Sequence, residues 1–295
     1  MEMRTFGDTG LEVTTLGYGA MALRNVDESQ AERLLNEVLD RGINFIDTAP
    51  DYGWSEDLIG KFIARRRDEY FLATKCGCNV PRPEDPDAPN HIWTGDQLRH
   101  NIEHSLRRLK TDYVDVWQIH SANPEDLVDT EVIETMQAIR DEGKVGHIAV
   151  SMAGSSEGYG YVQLRKYLDW DVFEAIQVWY SALIRYSEQA ISKAAAKGWG
   201  TIIRGLVREP SDVSIDEGFE RANLDELRAP GESRIRFLIR FAISHPDLHT
   251  AIIGTGSLDH LAEDVAAVEA GPLAGDVLLE ARQRLDEAGF TVGMS

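Results

Sequence analysis

The chain has 295 residues, 43% of them hydrophobic, and a formal net charge of −20. That is ample apolar material for a large core, at a length that a single α/β barrel routinely reaches. The acidic balance argues against a nucleic-acid partner, and no apolar run approaches the roughly 18 residues of a membrane span.

VTTLGYG reads as the first strand, and ESQAERLLNEVLDRG as a helix that Gly42 stops. INFID, YFLATK and YVDVWQIH follow as strands, with helices SEDLIGKFIARR, GDQLRHNIEHSLRRL and TEVIETMQAIRDEG after them. HIAVS, EAIQV, GTIIR and TAIIG bring the strands to eight, alternating with GYVQLRKYL, SEQAISKAAAKG, ESRIRFLIRFAISH and SLDHLAEDVAAVEA. LAGDVLLEARQRLDEAG adds an extra C-terminal helix. Eight regular βα units, without a Gly-rich G-x-G-x-x-G opening, predict one domain over residues 1–295: a (β/α)8 TIM barrel rather than an open sheet. Two connections exceed simple turns, Gly77 to Trp93 and Gly205 to Gly231. Both follow strands, so both are expected on the catalytic face, as surface variation or as a pocket wall and a cofactor lid.

The N-terminus lacks the apolar stretch of a signal peptide, which makes the cytoplasm the expected compartment. Cys76 and Cys78 lie too close for an unstrained disulfide and are too few for a zinc or iron–sulfur site, so no metal is expected.

Four residues carry the chemistry. Asp47, Lys75 and His120 end the second, third and fourth strands, and Tyr52 lies just after the second. Each alone has a plainer role: a turn acid, a packing tyrosine, a solvated lysine, a hydrogen-bonded core histidine. Together they make a general-acid site. A buried lysine beside a tyrosine stabilises the phenolate and draws its pKa down from about 10, and a carboxylate keeps that lysine charged. The histidine orients a carbonyl oxygen. A metal-dependent hydrolase on the same barrel would need clustered His and Asp ligands, and His120 stands alone among the strand ends.

At these residues the chain resembles the aldo-keto reductase superfamily. MRTFGDTGLEVTTLGYGAM looks like its opening β-hairpin and first strand, and GINFIDTAPDYGWSEDLIGKFI like its tetrad segment. SLRRLKTDYVDVWQIHS and TAIIGTGSLDHLAEDVAA are similar to two further signatures, so the resemblance runs from about Met3 to Ala270. It implies an NAD(P)H-dependent reductase of aldehydes or ketones, a small-molecule carbonyl substrate, and no membrane partner. Tyr52 is then the proton donor, Lys75 tunes it, Asp47 holds Lys75, and His120 positions the carbonyl. A non-catalytic cofactor-sensing subunit of the same fold is the alternative.

The resemblance also implies cofactor contacts. Gly17, Tyr18, Gly19 and Ala20 match the segment near the nicotinamide, and Ser151 and Gln177 the pair that binds its carboxamide. Tyr180 matches the stacking aromatic, although only one of Trp179 and Tyr180 can stack. Arg204 and Gly205 fall at the pyrophosphate. Gly254, Thr255, Gly256 and Ser257 fall at the adenosine phosphate, with His260, Glu263 and Asp264 following. Met152 stands where the family often has Asn, and Gly254 and His260 where basic residues often bind a 2′-phosphate. NADP(H) is expected to be favoured, with NAD(H) possible. Tyr18, Met21, Trp54, Trp93 and Trp179 are expected to wall an aromatic substrate pocket.

Overall fold

Two three-residue strands, β1 (Met3–Thr5) and β2 (Glu12–Thr14), pair antiparallel as a hairpin. The chain bends at Thr15 and enters β3 (Leu16–Gly19). The single strand expected over 13–19 is therefore two. At the break, the Thr14 N–H donates to Asn44 Oδ1 at 2.7 Å and the Thr15 N–H to Glu2 O at 3.0 Å. Seven more strands follow: β4 (Phe45–Asp47), β5 (Phe71–Cys76), β6 (Val114–His120), β7 (Val145–Ser151), β8 (Ala175–Trp179), β9 (Gly200–Arg204) and β10 (Thr250–Ile253). Strands β3 to β10 are all parallel to their neighbours, and β10 pairs with β3 to close the barrel. This computed structural model describes residues 1–81, 88–128, 131–152, 166–207, 210 and 213–292.

Helices α1 (Glu28–Asp40), α2 (Ser55–Phe62), α3 (Gly95–Leu109) and α4 (Val132–Asp141) pack outside the first strands. Then come α5 (Glu188–Ala196), α6 (Ile215–Arg221), α7 (Arg234–Ile243), α8 (Leu258–Glu269) and α9 (Gly275–Glu287). Helix α1 shows the logic. Asp27 caps it by accepting from the Gln30 N–H at 2.9 Å, and Ala31, Leu34, Leu35 and Val38 form its buried stripe. Gly42, at φ 78°, then turns the chain in a conformation that costs glycine least. The helix expected over 160–168 lies largely outside the described residues, although 166–168 are helical. The second long connection carries α6, too short and acidic for its periodicity to show. Among the described residues no helix is long and apolar enough to cross a membrane.

Side chains alternate in and out along each barrel strand, so residues two apart share a face. One inward layer is apolar: Phe45, Ala73, Val116, Ala149, Ala175, Ile202 and Ile252, closed from below by Phe6 and Val13. Two residues further along those strands stand Asp47, Lys75, Gln118, Ser151, Gln177 and Arg204. The barrel interior therefore changes from hydrocarbon to polar within one pleat.

Candidate active site

That polar layer is a single network. The Lys75 side chain is fully buried, and its ammonium donates to Asp47 Oδ2 at 2.6 Å and to Thr48 O at 2.8 Å. The other Asp47 oxygen accepts from Gln118 Nε2 at 2.6 Å and from Gln177 Nε2 at 2.8 Å, while Ser151 Oγ donates to Gln177 Oε1 at 3.1 Å. Burial alone would push the Lys75 ammonium pKa down, but the Asp47 carboxylate and Tyr52 together outweigh it and hold the pKa above its ordinary value. Lys75 Nζ lies 5.0 Å from the centroid of the Tyr52 ring, and Tyr52 meets His120 edge-on, with ring centroids 5.9 Å apart. The four expected residues are thus brought together. One expectation is reversed: burial raises the Tyr52 phenol pKa by more than Lys75 lowers it. Burial also drives His120 well below the ordinary imidazole range, with Lys75 adding to the effect. Gln118 went unassigned in the sequence, yet its place two residues before His120 puts it on the same inward face.

Arg108, near the end of α3, fastens the loop that carries Tyr52. Its guanidinium donates to Pro50 O at 3.1 Å, to Gly53 O, and to Asp57 Oδ2 at 2.7 Å. It also lies 3.4 Å from Glu56 Oε2. Burial raises the Glu56 carboxyl pKa, and its other oxygen accepts from Thr74 Oγ1 at 2.8 Å. Both sides of Tyr52 are therefore tied to a helix end.

Alternation separates the two candidate stacking rings. Trp179 shares the face of Gln177 and borders the barrel mouth, with the Arg204 guanidinium 4.8 Å from its ring centroid. Tyr180 is fully buried on the opposite face, against Phe241 and His245 of the outer layer. It does not reach the mouth, whereas Trp179 borders it. Arg204 also donates to Met152 O at 2.6 Å, which draws it across the mouth. Tyr18 is no pocket wall either. It is buried, with its hydroxyl donating to Thr255 O at 2.9 Å. Met21 and Trp54 are exposed, and Trp93 stacks on His91 with centroids 5.6 Å apart.

At the far side of the mouth, Gly254 lies against the backbone of Gly19, and Ala20 is buried. The Ser257 hydroxyl caps α8 by accepting from the His260 N–H at 3.4 Å, and the Ser257 N–H donates to Thr255 Oγ1 at 3.0 Å. Gly256 O accepts from Gln30 Nε2 at 2.6 Å. His260 and Glu263 are exposed, whereas Asp264 is buried and its carboxyl pKa is pushed up to about 6.

His120 ends its strand as expected, and loop residues gather beside it. The connection after β5 doubles back, with the Asn79 N–H donating to Asn90 O at 2.9 Å and the Ile92 N–H to Gly77 O at 2.7 Å. This sets Cys78 opposite His91 and both beside His120. Asp51, Cys78, His91 and His120 each offer a potential metal-ligand atom, all within 4.8 Å of one another. Three of these donors come from loops, whose folding no strand pattern reveals, so the strand-end reading does not reach them. Burial raises the Cys78 thiol pKa well above the ordinary range. A cleft of about 790 Å³ opens beside Asp51 and His91, walled by Trp54, Asn79, Val80 and Pro81 among others.

Comparison with known proteins accords with this geometry. Residues 15–212 match the model of the Aldo/keto reductase family. An aldo-keto reductase of Bacillus subtilis, YhdN, is 28% identical, covering 89% of this chain and 88% of its own. L-galactose dehydrogenase of Arabidopsis thaliana is 26% identical, covering 91% and 88%. The holo form of aldo-keto reductase AKR11C1 from Bacillus halodurans superposes with a TM-score of 0.80 at 28% identity, covering 98% of this chain and 96% of that one. The chain belongs to the aldo/keto reductase family of oxidoreductase enzymes.

Proposed function

We propose that this enzyme reduces aldehydes or ketones to alcohols with NADPH, and that Tyr52 delivers the proton. The observation that carries the reading is the buried Lys75–Asp47 pair beneath the Tyr52 ring, with Tyr52 against His120.

The residues at the mouth fit a nicotinamide dinucleotide. Gly205 has φ 76°, and a Cβ there would strike the Trp179 ring at 2.8 Å. A Cβ on Gly254 would press on Gly19 O at 3.0 Å. Glycine at these points lets the mouth pack closely, Gly205 under the Trp179 ring and Gly254 against β3. Ser151, Gln177 and Trp179 would hold the nicotinamide, with Gly19 and Ala20 beside it. Arg204 and Gly205 would meet the pyrophosphate. Gly254–Ser257, at the N-terminus of α8, would meet the adenosine phosphate, with His260, Glu263 and Asp264 flanking it. When bound, the cofactor supplies hydride to the carbonyl carbon.

The remaining work belongs to the chain. His120, kept neutral by burial, has Nδ1 beside the Cys78 thiol at 3.2 Å. If the thiol proton points at Nδ1, Nε2 carries the ring proton and donates to the carbonyl oxygen. Tyr52 then donates its phenolic proton to that oxygen as charge develops there. Lys75 stabilises the phenolate left behind, and Asp47 keeps Lys75 charged and fixed. Met21, Trp54 and Trp93 would border the substrate. The test is a panel of carbonyl compounds with NADPH and NADH, run on the parent and on Tyr52→Phe. Tyr52→Phe keeps the ring and loses the acidic proton, so reduction should fall by about 10²-fold or more while cofactor affinity holds. Full turnover by Tyr52→Phe would refute the assignment.

A further inference from the structure

We propose that Asp51, Cys78, His91 and His120 form a binding site for a zinc ion beside the catalytic tyrosine. Cys78 Sγ lies 3.2 Å from His120 Nδ1, and Asp51 Oδ2 lies 3.6 Å from the same nitrogen. The His91 ring meets that of His120 edge-on at 4.9 Å, and one ligand atom from each residue falls within 4.8 Å of all the others. In a tetrahedral zinc site, bond lengths of 2.0–2.3 Å place neighbouring ligand atoms about 3.3–3.7 Å apart. The Asp51–His120 contact already matches, the Cys78–His120 contact has to open by a few tenths of an ångström, and no pair has to close by more than about 1.5 Å.

The donor set selects the metal. One sulfur, two imidazole nitrogens and one carboxylate oxygen suit Zn²⁺, whereas Mg²⁺ and Ca²⁺ require oxygen shells. His91 Nε2 is buried and has no hydrogen-bond partner among the described residues, so a ring nitrogen is free for a new bond. The cleft beside Asp51 and His91 gives the ion a way in from solvent. On binding, Cys78 ligates as thiolate and its proton passes to solvent, so the metal replaces that proton at His120 Nδ1 and Nε2 keeps its hydrogen. The proposal does not depend on the reductase reading, with which it shares only His120.

The experiment strips the purified full-length protein with a chelator and titrates it with Zn²⁺ against a chromophoric competitor, and separately with Co²⁺ by absorption spectroscopy. The expected result is one ion per chain and, with Co²⁺, a thiolate-to-metal charge-transfer band. Cys78→Ser should abolish the band, Cys76→Ser should keep it, and both Cys78→Ser and His91→Ala should weaken Zn²⁺ binding at least tenfold. Circular dichroism establishes that each variant is folded. Should Cys78→Ser not fold, His91→Ala carries the test, because His91 lies in the loop outside the barrel strands. No stoichiometric binding, a band that survives Cys78→Ser, or unchanged affinity in His91→Ala would overturn the proposal.

Discussion

Asp47 accepts three side-chain hydrogen bonds inside the barrel, and only Lys75 among the donors brings a full charge. This asymmetry makes the two partners unequal under mutation. Lys75→Met leaves a buried carboxylate facing two neutral amides, which costs about 3–5 kcal/mol of stability, and it removes the cation beneath Tyr52. We expect an inactive protein with a clearly lowered denaturation midpoint. The double variant Lys75→Met/Asp47→Asn removes both charges and should regain much of the stability with none of the activity. Urea titration and carbonyl reduction measured on the same samples check both halves, and retained activity in Lys75→Met would show that the lysine plays no part in catalysis. The grouping of Asp47, Lys75 and His120 at one end of the barrel was legible in the sequence because ionisable groups at the ends of three successive apolar strands need partners. Gln118 and Trp179 were legible in principle. Counting by twos from His120 and from Gln177 puts both on the inner face, and the same count turns Tyr180 outward.

At the scale of elements, precision at Tyr52 depends on α3 more than on the loop's own residues. Arg108 bonds the carbonyls of Pro50 and Gly53, on either side of Tyr52, and also Asp57 on α2. Arg108→Met keeps the length of the stem and removes every one of these bonds. A misplacement of about 1 Å at a reacting group costs on the order of 10²-fold, so kcat should fall by about tenfold to a hundredfold while cofactor affinity holds. Hydrogen exchange at residues 50–57 should rise in step, and unchanged exchange with unchanged kcat would show that the loop holds itself. Helix α8 offers a separate test through pH. Burial raises Asp264 from 3.8 to about 6, so the folded state prefers the protonated acid. Between those values the native protein binds more protons than the unfolded chain, so stability falls as pH rises through the window. Asp264→Asn should therefore raise the melting temperature of the cofactor-free protein at pH 7.5, by a stabilisation on the order of 2–3 kcal/mol, and change it little at pH 4. Equal melting temperatures at pH 7.5 would mean the carboxylate is better solvated than its burial implies. The clustering of Cys78, His91 and Asp51 around His120 had no such sequence signal. Cys78 and His91 meet only because the loop folds back, and Asp51 reads as an ordinary loop acid.

On the whole-molecule scale the barrel divides its labour along its axis. Active sites of such barrels gather at the C-terminal ends of the strands, and the opposite end serves stability. Here the lower inward layer contains three small residues, Ala73, Ala149 and Ala175, and the space they leave is filled by Phe6 from the N-terminal segment. Phe6 is fully buried. Its ring lies 5.7 Å from that of Phe45 and 6.0 Å from His249, and a Cβ on Gly200 would strike it at 2.5 Å. Glycine at 200 is thus explained by one side chain delivered from outside the barrel strands. The alternation of βα units foretold the barrel, but nothing in a lone phenylalanine before a turn announced a plug. Phe6→Ala should open a cavity the alanines cannot collapse to fill, at about 3–5 kcal/mol. The polar layer carrying Asp47 and Lys75 lies one pleat above, on rigid strands, so kcat per folded molecule should stay within about twofold of the parent at a temperature where the variant remains native. Equilibrium urea denaturation gives the first quantity and steady-state reduction at that temperature the second. A kcat that falls with the fold intact would show that packing at the closed end is transmitted to the site, and that the axial division does not hold in this barrel.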